Sequence, residues 1–402
     1  MSTSALRYSI KKFVDAKGKT RFIVLKKETM IPSVCLSMYE QEKFLSSNSP
    51  NTTEKQLSEL IYFYSWADSE GVDLDTNLLN GNGVSDKQVR QFVSWLRNHR
   101  TIKNNELITK SYNSILCQCA AFCLWCSKWE AGRPTGRNAS IINKTADEQI
   151  VYRWHSKTLR DRSSKIAPDL TEEEIRQVEI KLKPENAVSE GKSTETAFRD
   201  YLIWHLSIEM GLRISEILAL RLQDCPQLNR NHVSIVRIEE RGPNYRDPRG
   251  TRAPRPKTLS RDLGFVIKNS TLPRIIQTYI TKYRYQKLES GGKKFILNHD
   301  FLIIAHDSGS PLSTVSAGAI ALDIKKRTGI TSFHWHLCRH AFFNRAYAGV
   351  VGNDSHINDL VYYGGWSDAS SLNFYIQREL RDRSINTLAV WQKSNVWEAL
   401  NI

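Results

Sequence analysis

A polar, basic stretch at residues 131–167 divides the sequence into two regions that carry helical hydrophobic patterns. The stretch is rich in Arg, Lys, Ser and Asn, has few apolar repeats, and ends just before Pro168. Such a composition between periodic segments is typical of a connection, so we predict a basic linker here. Thr171 and Glu174 then have the spacing of a capping box in front of EEEIRQVEIKL, which predicts a second domain over residues 168–402.

The region before the linker is predicted to hold a small β unit followed by a helical domain. In residues 1–45, RYSIKKF and RFIVLKK alternate apolar and basic positions on either side of the turn-like DAKGK, which indicates a β-hairpin. Apolar positions in residues 46–130 recur at helical spacing. Within that stretch, Ser85 and Gln88 have the spacing of a helix N-cap and its reciprocal partner.

The region after the linker is predicted to be mainly helical with one small sheet. Gly211 ends a helical stripe, and a new helix is predicted to start at Arg213. The segments HVSIVRI at 232–238 and LGFVI at 263–267 are predicted to form a strand and its returning partner. The predicted fold class is therefore mainly α with a small antiparallel β-sheet in the second domain (α+β), and a small β unit at the N terminus.

The charge balance points to a polyanionic partner. Lys and Arg number 57 against 42 Asp and Glu, which gives a formal net charge of +15. Each phosphate that Lys or Arg neutralises releases a condensed counterion, so nucleic acid is the predicted partner class. The opening MSTSALRYSIKK is polar, and no apolar run approaches the roughly 18 residues that span a bilayer. A cytoplasmic location without a membrane partner is therefore expected.

Four of the seven cysteines lie close together in the sequence, at 117, 119, 123 and 126. The cluster suggests either a zinc site or a buried helix stripe. Structural zinc sites usually draw ligand pairs from separate turns, whereas Cys119, Cys123 and Cys126 follow i, i+4, i+7 spacing. Since free Cys packs as a small hydrophobe, we predict the buried stripe and no metal site.

Four short segments in the second region carry chemically versatile residues: GLRISEILAL at 211–220, RPKTLSR at 255–261, HLCRH at 336–340 and YGGWSDASSLNFY at 363–375. Each is weak evidence by itself. In their order and spacing they resemble the tyrosine recombinase (phage integrase) family from residue 168 to residue 376. The resemblance places the family's catalytic positions at Arg213, Lys257, His336, Arg339, Trp366 and Tyr375. Lys268 is the poorer candidate for the lysine.

The chemistry of these residue types fits attack on a phosphodiester. Planar guanidiniums such as those of Arg213 and Arg339 can donate paired hydrogen bonds to the non-bridging oxygens. By resemblance, the Tyr375 hydroxyl attacks phosphorus and expels a 5′-hydroxyl, and His336 and the arginines supply a base or a positive field. A Lys whose pKa is lowered among cations suits proton donation to the leaving oxygen, which is the role of Lys257.

The remaining positions of the set are assigned supporting roles. Trp366 has an N–H donor and no acceptor, so it is predicted to bind phosphate and to pack. Glu216 either orients the arginine or lysine or is a solvated helix glutamate. His340 is predicted to make a structural hydrogen bond. Five arginines in the Pro-rich loop at 241–256 are predicted to lie along the DNA backbone, or else to be solvated.

The resemblance implies a site-specific recombinase that cuts and rejoins double-stranded DNA through a 3′-phosphotyrosyl intermediate without a metal, another cofactor or ATP. It further implies a two-domain DNA clamp in which residues 46–130 are a SAM-like core-binding domain, and a homotetramer on inverted-repeat sites of a mobile element. Accessory DNA-bending or directionality factors and nucleoid association follow from the same resemblance.

Residues 1–45 would be an arm-type module or an interaction segment. The C-terminal stretch 384–400 either docks onto a neighbouring protomer or packs locally. The alternatives are a type IB topoisomerase and a non-catalytic DNA-binding regulator or architectural protein.

Overall fold

The computed structural model describes most of the chain in two compact units, residues 1–164 and residues 165–402. The described residues are 6–16, 18–46, 49–98, 109–129, 138–160, 169–227, 231–242, 245–265, 270–284, 289–290, 293–294, 297–350, 354–373 and 375–392. The predicted Lys268 and the C-terminal residues 393–402 lie outside them. Each unit has its own hydrophobic core.

The N-terminal unit is a hairpin followed by helices. Its elements are β1 (Tyr8–Val14), β2 (Thr20–Lys26), α1 (Val34–Leu45), α2 (Pro50–Ser69), α3 (Leu74–Leu79), α4 (Asp86–Asn98), α5 (Thr109–Ser127) and α6 (Ala139–His155). The predicted cap of α4 is confirmed, because Ser85 Oγ accepts from the backbone N–H of Gln88 while the Gln88 side chain accepts from the backbone N–H of Ser85. The predicted hairpin is confirmed too, with β1 and β2 paired antiparallel.

The hairpin shares the core of the helices that follow it. Phe22 and Val24 on β2 are buried in one cluster with residues of α1, α2, α4 and α5. Ion pairs tie both strand ends to α2, with Arg7 Nη1 lying 2.9 Å from the Asp68 carboxylate and Lys26 contacting the other oxygen of Asp68. The described residues of this hairpin and of α1 are therefore built into the N-terminal unit.

The predicted linker contains a helix. Residues 139–155 form α6, and its Trp154 is 1% exposed within the core of the N-terminal unit. One large aromatic side chain anchors this helix, since Trp154 packs edge-on against Phe63 and Phe92 at centroid distances of 5.3 and 5.8 Å. Besides Trp154, the partly buried Ile150 of α6 packs against this core. Two such positions produce no long apolar stripe, which is why the composition indicated a connection here. The linker interpretation is wrong for residues 139–155.

The cysteine stripe is confirmed as part of the core. Cys119, Cys123 and Cys126 lie on α5 with their side chains buried, whereas Cys117 is exposed. Burial raises the pKa of the Cys123 thiol to about 12. These thiols therefore act as small apolar groups in the packing of α5.

The C-terminal unit is mainly helical with short strands. Its elements are α7 (Glu172–Leu182), α8 (Pro184–Ser189), α9 (Thr194–Ile208), α10 (Ile214–Ala219), β3 (Val233–Ile235), β4 (Arg261–Leu263), α11 (Leu272–Thr278), β5 (Glu289–Ser290), β6 (Lys293–Lys294), α12 (Thr314–Thr328), α13 (Trp335–Ala348), α14 (Asp354–Gly364), α15 (Ser370–Asn373) and α16 (Gln377–Gln392). The capping box of Thr171 and Glu174 is present at the start of α7. The predicted fold class, mainly α with small antiparallel sheets, is confirmed. Among the described helices, none has the length and apolar character that would let it cross a membrane.

The returning strand starts earlier than the sequence predicted. The strand β4 pairs antiparallel with β3 in the register Val233↔Leu263, so pairing begins at Arg261 and not at residue 263. Arg261 and Leu263 face inward while Asp262 is exposed. The sequence placed the first residue of the strand at 263, where an apolar run begins. An inward-facing Arg at 261 does not fit an apolar strand pattern.

Two arginines of the Pro-rich loop are committed to internal contacts. Arg241 forms a nearly buried ion pair with Asp224. Arg249 lies 2.8 Å from the carboxylate of Asp247, donates to the carbonyl of Leu312, and stacks over Phe301. The prediction that these guanidiniums lie along the DNA backbone is therefore wrong for Arg241 and Arg249, because acidic partners within the fold satisfy them.

A histidine on α9 is held between two glutamates. His205 Nε2 lies 3.5 Å from Glu179 on α7, and its Nδ1 contacts Glu209. Burial by itself would lower the pKa of His205, but the two carboxylates outweigh it and raise the pKa to about 9. The charged imidazole therefore links α7 to the end of α9.

This cluster predicts a pH-dependent contribution to stability. Because the folded pKa of His205 lies above its ordinary value of 6.5, its contribution is complete below about pH 6.5 and is lost as the pH rises through 9. The variant His205→Gln should lose about 2 to 3 kcal/mol of unfolding free energy at pH 6. Denaturant unfolding of both proteins at pH 6 and pH 10 measures this, and an equal difference at both pH values contradicts it.

Candidate active site

The turn between α9 and α10 places Arg213 and Glu216. Gly211 has a φ of +61°, and a Cβ at this position would lie 2.5 Å from the Phe342 ring. Only glycine fits there, and the turn it permits starts α10 at once. The Glu216 carboxylate accepts from the backbone N–H of Arg213 at 2.8 Å. The two side chains of the GLRISE segment are thereby fixed relative to each other.

Arg339 lies at the centre of the site and is fully buried, with 0% of its surface exposed. It is on α13, three residues after His336, so both side chains project from one face of the helix. Its two terminal nitrogens donate to the carbonyls of Gly211 and Gly364 at 2.7 and 2.8 Å. Its guanidinium carbon lies 4.9 and 5.2 Å from the ring centroids of Trp366 and Tyr375.

The Tyr375 hydroxyl lies between a cation and an imidazole. Arg213 Nη2 donates to it at 3.2 Å, and His336 Nε2 lies 3.3 Å from it. The Tyr375 ring packs against Trp366 and His340 at centroid distances of 5.0 and 4.7 Å. The structure thus brings together Arg213, His336, Arg339, Trp366 and Tyr375, with His340 beside them.

Lys257 is on the adjacent turn and is exposed. Among the described residues, its ammonium group makes no hydrogen bond or ion pair. The turn itself is tied to the site, because the Thr258 hydroxyl donates to Glu216 and the backbone N–H of Leu259 donates to the carbonyl of Gly365 at 3.1 Å. The structure brings the turn of Lys257 to the site, but not its amine to the Tyr375 hydroxyl.

Glu216 is the anion of the site and is 1% exposed, so the solvated-glutamate alternative is wrong. Three guanidiniums surround its carboxylate, with nitrogens of Arg261, Arg213 and Arg339 at 3.2, 3.7 and 4.0 Å. Burial alone would raise the pKa of Glu216, but the arginines reverse that effect and lower it. The carboxylate therefore stays ionised and partly neutralises the three cations.

Arg261 ends the segment RPKTLSR and belongs to the site, but its role was not predicted from the sequence. It is buried at the start of β4, and its Nε donates to the carbonyl of Tyr363 at 2.7 Å. A Cβ on Gly365 would lie 2.6 Å from Arg261 Nη1, so glycine is needed where the two segments meet. The available signal was the strand alternation that points Arg261 inward with Leu263, since a buried Arg requires a carboxylate partner.

The electrostatics of the site leave its imidazoles neutral. Burial and the neighbouring His340, Arg339 and Arg213 lower the pKa of His336 to about 4. Burial, followed by the charge of Arg213, lowers the pKa of Arg339 to about 10. At neutral pH the Tyr375 hydroxyl therefore meets a charged guanidinium and an uncharged imidazole that can accept a proton.

Comparison with known families shows the family of the chain. The profile of the phage integrase family matches residues 170–381, which is more than half of the 402-residue chain. The chain belongs to the phage integrase family. The resemblance to tyrosine recombinases carried by the four sequence segments is thereby confirmed, and all four of those segments lie inside the matched range.

Solved structures similar to this phage integrase family member include Xer recombinases. XerA recombinase is 14% identical with a TM-score of 0.38, over 90% of this chain and 98% of that chain. XerH bound to a palindromic difH substrate after cleavage is 14% identical with a TM-score of 0.41, over 79% and 89%. XerH bound to difH before cleavage is 13% identical with a TM-score of 0.41, over 90% and 95%. Comparison with the curated proteins finds no match.

Proposed function

We propose that this protein is a site-specific DNA recombinase that cleaves and rejoins DNA through a 3′-phosphotyrosyl intermediate. The observation that carries the proposal is the Tyr375 hydroxyl held 3.2 Å from Arg213 and 3.3 Å from His336 in a phage integrase family member. A phenol beside a cation and a neutral imidazole has both the field and the proton acceptor that an oxygen nucleophile requires.

Cleavage forms the bond from Tyr375 Oη to phosphorus and breaks the bond from phosphorus to O5′. The phenol proton passes to His336 Nε2, and Lys257 gives a proton to the leaving O5′. Rejoining reverses the step, because the free 5′-hydroxyl attacks the phosphotyrosine. The energy of the broken bond is kept in the ester, so the step as written needs neither ATP nor a metal ion.

The arginines stabilise the charge that develops on the non-bridging oxygens. Arg213 already directs a donor at the reacting hydroxyl. Arg339 uses two nitrogens on carbonyls, and its buried Nε has no hydrogen-bond partner among the described residues. We assign that donor to a phosphate oxygen, because an oriented donor in a dry site stabilises an oxyanion strongly. Trp366 packs against the Tyr375 ring and offers its N–H to the phosphate.

The partner in this proposal is double-stranded DNA with inverted-repeat sites. The net charge of +15 favours binding to phosphate. We propose that the N-terminal unit, which contains residues 46–130, is the core-binding domain and that the C-terminal unit carries catalysis, with four copies assembled on two sites. Nucleoid association in the cytoplasm, origin in a mobile element and accessory directionality factors complete the proposal.

Covalent trapping tests the function. Footprinting on DNA that flanks the native gene first identifies the bound site, and a nicked suicide substrate is then built on that site. The expected result is a protein–DNA adduct whose peptide mass maps to Tyr375. Absence of an adduct on a footprinted site contradicts the proposal and favours a non-catalytic DNA-binding protein. Relaxation of plasmids that lack the site favours a type IB topoisomerase.

The low pKa of His336 predicts that the rate of DNA cleavage changes little as the pH falls below neutrality. A base with an ordinary histidine pKa of about 6.5 would lose about tenfold in rate between pH 7.5 and pH 5.5. Since the pKa of His336 is about 4, the single-turnover rate at subsaturating DNA should change less than about twofold over this range. A tenfold loss contradicts the neutral-base role, and the variant His336→Gln shows whether any remaining pH dependence comes from other groups.

A further inference from the structure

Arg261 contacts three separate segments of the site. It donates to Glu216 Oε1 at 3.2 Å, which belongs to the Arg213 helix. It donates to the Thr258 hydroxyl and the Leu259 carbonyl at 3.0 and 3.1 Å, which belong to the Lys257 turn. Its Nε donates to the carbonyl of Tyr363, just before the glycines that lead to Trp366. One side chain thus joins three segments, a helix, a turn and a loop, that come from distant parts of the sequence.

The hydrogen bonds of Arg261 require the planar shape of a guanidinium. Four acceptors in different directions need a planar fork with several fixed N–H groups, which a lysine ammonium does not supply. The Arg261 side chain is 1% exposed and Glu216 is fully covered, so solvent does not weaken the pair. The close approach of Gly365 leaves the guanidinium no room to shift in that direction.

We propose that Arg261 is the positioning residue that holds the Lys257 turn against the phosphate site. This inference rests on the proposed function, and it deepens it by naming what aligns the proton donor. Lys257 is exposed, and its ammonium group makes no hydrogen bond or ion pair with the described residues. Its location is therefore set by Thr258 and Leu259 next to it, and Arg261 binds both. Loss of Arg261 frees the turn and misplaces the ammonium group.

A change of leaving group separates this role from a general loss of structure. A DNA substrate with sulfur in place of O5′ expels a thiolate, which leaves without a proton donor because its conjugate acid has a low pKa. The variant Arg261→Gln should cleave the ordinary substrate about 100-fold more slowly, since a displacement of 1 Å costs that much. On the sulfur substrate it should lose less than about fivefold. Single-turnover adduct formation measures both rates.

Two further variants keep the test valid if Arg261→Gln folds poorly. Thr258→Val removes one tie to the turn without removing a charge, and it should show the same preferential rescue by sulfur with a smaller loss. Arg261→Lys keeps a cation opposite Glu216, so it should recover thermal stability but not the rate on the ordinary substrate. Arg274→Gln removes an exposed charge from α11 and should resemble the unmodified protein on both substrates.

The outcomes are distinct. Equal losses on the two substrates, or no loss on either, overturn the positioning role. The same holds if Lys257→Ala is not rescued by sulfur, because the turn then does not carry the proton donor. If the unmodified protein forms no adduct with either substrate, the proposed function fails first, and that result is separate from any effect of Arg261.

Discussion

The variant Tyr375→Phe is expected to form no covalent DNA adduct, with a cleavage rate at least about 10⁴-fold below that of the unmodified protein. The change removes the oxygen that we propose as the nucleophile and leaves the ring, whose contacts with Trp366, His340 and Arg339 do not involve the hydroxyl. Folding and DNA affinity should therefore be preserved. Denaturing gel analysis of the suicide-substrate reaction measures the adduct, and a gel shift measures the binding.

A second tyrosine in the same unit provides the matched control. Tyr362 lies on α14 and is 60% exposed, so Tyr362→Phe removes a hydroxyl without disturbing the site. It should form adduct at the rate of the unmodified protein. Adduct that persists in Tyr375→Phe and maps to another residue would show that the hydroxyl held by Arg213 and His336 is not the nucleophile.

The variant Glu216→Ala is expected to lower the free energy of unfolding of the C-terminal unit by about 3 to 5 kcal/mol. The carboxylate is the buried anion shared by Arg261, Arg213 and Arg339. Its removal leaves Arg261 and Arg339 buried without a neutralising charge, which costs more than the pair contributed when intact. Urea unfolding at neutral pH measures the difference.

Two comparison variants separate the effect of losing the Glu216 charge from the effect of losing its side-chain volume. Glu216→Gln keeps the shape and the hydrogen bond from Thr258 but not the charge, so it should still lose stability. Glu239→Ala removes a glutamate that is 65% exposed, and surface changes of that kind stay within about 0.5 kcal/mol. A loss from Glu216→Gln as small as that of Glu239→Ala would mean that the charge of the carboxylate is unimportant.

The proposed catalytic residues were predictable from the sequence and Glu216 was one candidate for orienting them, whereas Arg261 was not predicted. Arg213, His336, Arg339, Trp366 and Tyr375 stand in short segments with informative spacing, and the structure brings these five together. Arg261 and Glu216 depend on a contact between positions 45 residues apart. Hydrophobic periodicity indicates which face of an element a residue occupies. It does not indicate which distant residue that side chain will contact.

The fold departs from the predictions for related reasons. The strand β4 begins at Arg261 because a buried carboxylate permits an inward arginine, and α6 is held mainly by Trp154, which is buried in the core of the N-terminal unit. Both cases depend on one long-range contact and not on a repeated pattern. The caps at Ser85 and Thr171 were predictable, since a cap is complete within four residues.

The distribution of the cysteines gives the unmodified protein a built-in labelling position. All seven cysteines lie in the described part of the chain, and Cys117 is the exposed one among them. A maleimide dye added under native conditions should therefore attach at Cys117 on α5, in the N-terminal unit and without any engineered substitution. Fluorescence from that position then tests the proposed assembly of several copies on DNA.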